Sequence, residues 1–147
     1  ITGIFLERTD VVLTVKAKKQ VDVVDGPSAG SVMTLAVISA IWNHTLNKNI
    51  YMTGTVKLDG TIGEVGGIPY KALAAAQEGA VAFIVPKGQS TVTMMVARES
   101  HPVPGLTFIT YEPVQVKLSD YLKEKGHNIR VVEVTSIIEA YNVFRQT

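Results

Sequence analysis

Two residues of this chain have the types and surroundings of a nucleophile and its base. Ser28 lies in the segment Asp-Gly-Pro-Ser-Ala-Gly at residues 25–30, and Lys71 lies in Gly-Gly-Ile-Pro-Tyr-Lys-Ala at residues 66–72. A serine hydroxyl is a poor nucleophile until a neighbouring base removes its proton, and a lysine amine can be that base only when it is neutral. The pair therefore predicts nucleophilic chemistry, with Ser28 attacking and Lys71 accepting the proton.

The sequence around Lys71 favours a neutral amine. Pro69 stands where the first residue of a helix is favoured, and Gly79 stands where a left-handed residue would end that helix, so Lys71 falls in the first turn. The positive end of the helix disfavours a charged amine there, and the apolar neighbours between residues 69 and 74 would remove water from it. Both effects act in the same direction.

The sequence around Ser28 predicts a tight turn that opens a helix over residues 29–46. Backbone N–H groups at such an opening can stabilise an oxyanion. Gly26 permits an unusual backbone conformation, Pro27 fixes the entry, and the small Ala29 leaves room for a substrate. An ordinary helix start is the alternative interpretation of the same residues.

The elements that must position these residues are strands and helices in alternation. Period and turn signals predict strands at residues 11–17, 20–24, 51–58, 80–85, 106–111 and 129–134, with residues 61–65 as a hairpin arm after the turn at Asp59-Gly60. Beyond the helices at 29–46 and 69–79, helices are predicted at residues 91–99, at 118–125 and, after a capping box at Ser136 and Glu139, up to residue 144. No repeat or linker divides the chain, which predicts a single domain over residues 1–147.

Composition excludes several functions. The chain has 147 residues, 46% of them hydrophobic, and a net charge of +1, so nucleic-acid binding is not expected. Its three histidines have no metal-ligand spacing, and we expect neither a metal nor another cofactor. The longest apolar stretch, residues 32–42, is shorter than the ~20 residues that span a bilayer. With no cysteine, the compartment stays open between the cytoplasm and a membrane-associated location.

Three segments of the chain resemble the proteolytic domain of Lon-type serine peptidases. They are residues 25–30, Met-Thr-Gly at residues 52–54, and Gly-Thr-Ile-Gly-Glu-Val-Gly-Gly-Ile-Pro-Tyr-Lys at residues 60–71, which continues to Ile-Val-Pro-Lys at residues 84–87. Their order and spacing also fit the family. The resemblance covers residues 20–88 well and residues 129–144 more loosely.

The resemblance implies roles for individual residues. Ser28 is then the nucleophile, Lys71 is the general base that later protonates the leaving amine, and Thr53 orients the lysine. Asp25 would influence the site from just before the turn. The resemblance also places the oxyanion or substrate-binding positions at Gly26, Pro27, Ala29, Val23, Val24, Gly66 and Gly67.

The same resemblance implies an α+β fold, shared with the second domain of ribosomal protein S5, and the cleavage of unfolded or flexible polypeptides. A substrate strand would pair with the edge formed by residues 21–24 through main-chain hydrogen bonds. The expected assembly is a homo-oligomeric ring such as a hexamer, and a membrane link would come from segments outside the printed chain.

Departures from the family pattern qualify these expectations. Only 27 residues precede Ser28, and the chain starts at Ile1 without a methionine, so we expect N-terminal elements to be missing. Glu64 stands where the family often has proline, and it is interpreted as an exposed hairpin residue. There is no Walker-type loop, so activity is expected to be independent of ATP unless a separate chain supplies the motor.

Two other functions also fit the sequence. A small-molecule kinase of the same fold would use residues 25–30 to hold phosphates, although Pro27 removes one backbone donor. A non-catalytic scaffold could retain the motif without activity. Ser31 is an alternative nucleophile one turn after Ser28, although it lacks the turn environment.

Overall fold

The computed structural model describes residues 3, 7, 9–14 and 26–145 of the chain. Helices are combined with parallel and antiparallel strands, which confirms the α+β class. The strand predicted at residues 20–24 lies outside the described residues, together with Val23, Val24 and Asp25. In the strand predicted at 11–17, residues 11–14 have no regular secondary structure, and the rest lies outside the described residues.

A three-stranded parallel sheet forms the centre of the structure. Its order is β1 (Ile50–Met52), β4 (Ala82–Pro86) and β7 (Arg130–Val134). Every residue of β4 is buried, as the apolar sequence Ala-Phe-Ile-Val-Pro requires of a central strand covered on both faces. The predicted strands at 80–85 and 129–134 are therefore confirmed to within two residues.

Helices cover both faces of this sheet. Side chains along β4 alternate between two hydrophobic clusters, because successive residues of a strand point to opposite faces. Ala82 and Ile84 pack with α1 (Gly30–Trp42) and α4 (Ile137–Phe144), whose contributions to the cluster include Leu35, Ile38, Ile137 and Phe144. Phe83 and Val85 pack with α2 (Ile68–Gln77) and α3 (Leu118–Glu124), which contribute Ala72, Ala75, Leu118 and Leu122.

The strand predicted at 51–58 is interrupted. It consists of β1 and a short β2 (Thr55–Val56), and β2 pairs with β3 (Ile62–Gly63) in an antiparallel hairpin. The turn at Asp59-Gly60 is confirmed, since Gly60 has a φ of 83° and the Asp59 carboxylate accepts a hydrogen bond from the Thr61 amide at 2.9 Å. Hydrogen bonds from the Thr61 hydroxyl and amide lower the pKa of Asp59.

The helix predicted at residues 91–99 is wrong, because that segment is a strand. β5 (Thr91–Val103) pairs antiparallel with β6 (Leu106–Lys117) over nearly its whole length, and the strand predicted at 106–111 is part of β6. At the base of this hairpin, Val92 and Met94 pack on the α2–α3 cluster while their neighbours stay exposed. The Leu118 amide donates to the Ser90 carbonyl at 2.8 Å, so the two ends of the hairpin meet.

The last helix begins as predicted, at the N-cap Ser136. The Ser136 side chain accepts a hydrogen bond from the Glu139 amide at 3.3 Å. The Glu139 carboxylate accepts hydrogen bonds from the Thr135 amide at 2.7 Å and from the Thr135 hydroxyl at 2.8 Å, and these two bonds lower the pKa of Glu139. In a capping box the carboxylate would bind the amide of the N-cap itself, one residue later. In the described part of the chain, no helix has the length and apolar character needed to cross a membrane.

Candidate active site

Ser28 lies in a single turn of 3₁₀ helix, Pro27–Ala29, directly before α1. Gly26 precedes the turn with φ 109° and ψ 150°, a conformation that residues with a side chain rarely adopt. Pro27 occupies the first position of the turn, where its fixed φ is favourable and no amide is needed. The tight turn predicted for these residues is therefore present.

The backbone of Ser28 is tied to the central sheet. Its carbonyl accepts hydrogen bonds from the Gly54 amide at 2.9 Å and from the Thr53 hydroxyl at 3.3 Å. Thr53 is 4% exposed, and its own amide donates to the Ile84 carbonyl of β4 at 3.1 Å. Residues 53–54, which follow β1, therefore hold the turn that contains Ser28. The contact predicted between Thr53 and Lys71 stays a prediction.

Ser31 belongs to the same set of hydrogen bonds. It is fully buried, and both its hydroxyl and its amide donate to the Gly54 carbonyl, at 2.8 Å and 3.1 Å. A hydroxyl in this position is a structural hydrogen-bond donor. The Ser31 hydroxyl is thus engaged in holding residue 54 against the start of α1.

Lys71 lies at the end of the first turn of α2. The helix begins at Ile68, one residue before the predicted start, after Gly67 with φ 68°. The Lys71 amide donates the first hydrogen bond of the helix, to the Gly67 carbonyl at 3.1 Å, and its side chain is half-buried. The predicted end of the helix is confirmed, since Gly79 has a φ of 86°.

Ser28 and Lys71 line the same cleft. It has a volume of about 360 Å³, and its walls also include Ala29, Thr53 and Phe83. The volume lies in the range of ligand pockets, which starts at roughly 300 Å³. Among the hydrogen bonds of the described residues, none joins the Ser28 hydroxyl to the Lys71 amine. Catalytic hydrogen bonds are commonly long before substrate binds and shorten in the complex.

Gly66 and Gly67 lie outside this cleft. Both are exposed, and Gly67 lines a separate groove between the start of α2 and the base of β5, together with Pro69 and Gln89. Their predicted substrate-binding role stays a prediction. Glu64 is exposed, as expected for its hairpin position.

Gln89, which the sequence did not indicate, fixes the loop that leads to α2. Its side-chain amide donates to the Val65 carbonyl at 2.9 Å, and its side-chain oxygen accepts from the Val65 amide at 3.1 Å. Gln89 thus pairs with the Val65 backbone as a neighbouring strand would. Only the fold shows this role, because the two residues are 24 positions apart in the chain.

Gln89→Ala is expected to destabilise the fold. The variant loses two partly buried hydrogen bonds and leaves both backbone groups of Val65 without this partner, which costs about 1–3 kcal/mol of unfolding free energy. Thermal unfolding should show a correspondingly lower Tm. Gln77→Ala, an exposed change on α2, is the matched control. Equal Tm values for the two variants would contradict the role assigned to Gln89.

Glu133 holds the turn next to Gln89. Its carboxylate accepts from the Ser90 amide at 2.9 Å. Hydrogen bonds from the Ser90 side chain, and next from the Gly88 backbone, hold its pKa below the ordinary value. Because the folded pKa is the lower one, this carboxylate stabilises the fold above its unfolded pKa, and the contribution is lost as the pH falls through the folded value.

Within the described residues, no cluster of three histidine, cysteine or carboxylate side chains could hold a metal ion.

Comparison with known proteins identifies the family of this chain. Residues 6–122, more than half of the chain, match the family described as the Lon protease (S16) C-terminal proteolytic domain. The chain belongs to this family. Ser28, Thr53 and Lys71 all fall within the matched residues.

Individual relatives are Lon proteases of bacteria and of a yeast. The chain is 48% identical over 63 residues to Lon protease of Clostridioides difficile, covering 43% of this chain and 8% of the relative. It is 39% identical over 66 residues to the mitochondrial Lon protease homolog of Yarrowia lipolytica, covering 45% and 6%. It is 34% identical over 90 residues to Lon protease 1 of Bacillus subtilis, covering 58% and 11%. The chain therefore spans about a tenth or less of each Lon protease.

Family membership confirms the resemblance seen in the three motifs. It favours the peptidase hypothesis over the small-molecule kinase and the non-catalytic scaffold.

Proposed function

We propose that this chain is a serine endopeptidase domain of the Lon family, in which Ser28 is the nucleophile and Lys71 the general base. The observation that carries the proposal is the shared cleft, which both Ser28 and Lys71 line. The substrate class is unfolded or flexible polypeptide. We also propose that residues 1–147 form one proteolytic domain.

The chemistry follows from the two side chains. The Lys71 amine, as the general base, removes the Ser28 hydroxyl proton while the serine oxygen attacks the carbonyl carbon of the scissile peptide bond. The resulting ammonium gives that proton to the leaving nitrogen, and the new amine terminus departs. Water then attacks the acyl ester with Lys71 again as the base, which releases the carboxylate product and restores the serine.

We propose that backbone amides near the start of the turn stabilise the oxyanion. Of the amides that follow Ser28, that of Gly30 donates to the Pro27 carbonyl and that of Ser31 to the Gly54 carbonyl. These two amides are engaged, so the donors on this turn are limited to amides before Gly30, such as that of Ala29. Pro27 has no N–H and contributes only the shape of the turn.

Labelling by a fluorophosphonate probe tests the dyad. The probe reacts with an activated serine, so we expect covalent labelling at Ser28. The rate is measured by mass spectrometry of the peptide that contains Ser28. In the Lys71→Ala variant, labelling should be far slower, because the serine has lost its base.

Equal labelling rates in the wild-type chain and in Lys71→Ala would contradict a lysine base. If the folded wild-type chain were not labelled, the result would support the scaffold hypothesis. Thermal unfolding of both proteins separates a change in reactivity from a loss of fold.

Assembly and energy use are further parts of the proposal. We propose that the domain works as a homo-oligomer arranged as a ring, so activity is to be measured together with the oligomeric state. The printed sequence has no Walker-type loop, and peptide hydrolysis by this chain is proposed to need no ATP.

A further inference from the structure

The β5–β6 hairpin extends beyond the body of the domain as an arm. At its base Val92, Met94 and Val116 pack on the α2–α3 cluster. From residue 95 to residue 113 every residue is exposed. At ~3.4 Å per residue, the arm reaches roughly 30 Å along each strand past this last contact.

The arm face that is turned away from the body changes from polar to apolar where the arm leaves the body. At the base, the face turned away from the body is polar, with Thr91 opposite Lys117 and Thr93 opposite Gln115. Further out the same face becomes apolar, with Met95 opposite Pro113 and Ala97 opposite Tyr111. Ile109 follows along β6, and Glu99 lies opposite it at the edge of the apolar patch. We call Met95, Ala97, Ile109, Tyr111 and Pro113 the outer arm face.

The opposite face of the arm mixes charged, polar and apolar residues. Arg98 and Glu112 form an ion pair across it, with Nε and Oε2 2.9 Å apart, and Ser100 and Thr110 lie on the same face. Val96 and Phe108 are exposed apolar residues of the same face, but Arg98 and Thr110 lie between them, whereas the apolar residues of the outer arm face are adjacent to one another. This pattern is typical of a surface that packs against another chain.

The outer arm face is large enough for a self-association surface. Met95, Ile109 and Tyr111 are 61%, 55% and 66% exposed. With Ala97 and Pro113 they offer on the order of 500 Å² per chain, so two such faces together bury roughly the 1,000 Å² that a specific interface needs. A two-stranded ribbon is also only marginally stable in water, whereas two ribbons packed face to face form a small sandwich.

We propose that the outer arm face is a self-association surface, on which the same face of a second copy of this chain packs around a two-fold axis. Such a contact is isologous, so it doubles an assembly and closes without making a ring. It is distinct from the head-to-tail contacts of a ring. The inference goes beyond the proposed peptidase activity and does not depend on it.

Matched substitutions on the two faces of β6 test the contact. Tyr111→Lys places a charge in the outer arm face, whereas Phe108→Lys places one at a similarly exposed position, 51% exposed, on the opposite face. By sedimentation at micromolar concentrations, we expect the wild-type and Phe108→Lys assemblies to have about twice the mass of the Tyr111→Lys assembly. Equal masses for all three proteins would overturn the proposal, as would the same reduction in both variants.

Crosslinking identifies the surface directly. The chain has no cysteine, so a single introduced thiol is unique. Ala97→Cys should form a covalent dimer with a bis-maleimide of about 10 Å span, the usual distance between packed sheets, whereas Thr110→Cys on the opposite face should not. Crosslinking of Thr110→Cys alone, or of neither variant, would overturn the proposal. Both variants are made with Ser28→Ala, so the result is independent of peptidase activity.

Discussion

Hydrolysis of casein is expected to disappear when either Ser28 or Lys71 is replaced by alanine. Without the hydroxyl, no acyl ester can form, and without the amine the hydroxyl keeps its proton. The loss in kcat should be roughly 10⁴-fold or more for each variant, and the double variant should be no worse, because the two groups act as a unit. Activity is measured as the rate of peptide release, together with sedimentation of the same sample.

Two controls on α3 match these substitutions. Ser119→Ala and Lys123→Ala remove the same side chains outside the cleft, and both should retain wild-type activity. Circular dichroism and Tm should show that the Ser28 and Lys71 variants are folded. Wild-type activity in either folded variant would refute the dyad.

Gly54→Ala is expected to disturb both stability and activity. A Cβ atom at this position would lie 2.7 Å from Cγ2 of Ile62 and 3.0 Å from Oγ of Ser31. Both neighbours are buried, and Ile62 is stiff because it is branched at Cβ, so the backbone must shift. Such overpacking costs about 1–3 kcal/mol of unfolding free energy.

The same shift would move Ser28, because the Gly54 amide donates to the Ser28 carbonyl. We therefore expect a lower Tm and a lower kcat in the folded Gly54→Ala protein. Gly66→Ala is the control for stability, since a Cβ there has no neighbour within 4 Å and no positive φ is involved. If the Tm of Gly54→Ala fell no further than that of Gly66→Ala, the packing account of Gly54 would be wrong.

Local signals predicted most of the body of the domain. The apolar run of β4, the Gly79 stop of α2 and the Ser136 cap of α4 are properties of neighbouring residues, and each was found close to its predicted position. The arm was missed because the alternation of Val92, Met94 and Val96 is short. Its strand character depends on pairing with β6, whose residues lie beyond the turn at Gly105.

The candidate site was also predictable only in part. Ser28, Thr53 and Lys71 were indicated by motifs within single segments, and the structure brings all three to one cleft. The contacts that hold them were not visible in the sequence. The Thr53 hydroxyl binds the Ser28 carbonyl 25 positions away, and Gln89 binds Val65 only after the chain has folded. Such long-range pairs leave no periodic pattern in the sequence.

The arm enters and leaves the body at nearly the same point, because the Leu118 amide binds the Ser90 carbonyl. Closing a short loop between these two residues would require little rearrangement of the sheet or its helices. A hairpin with adjacent ends can be shortened or exchanged while the sheet and the cleft keep their connections. If copies of the chain pack through the arm as proposed, their association can change without any change at the cleft.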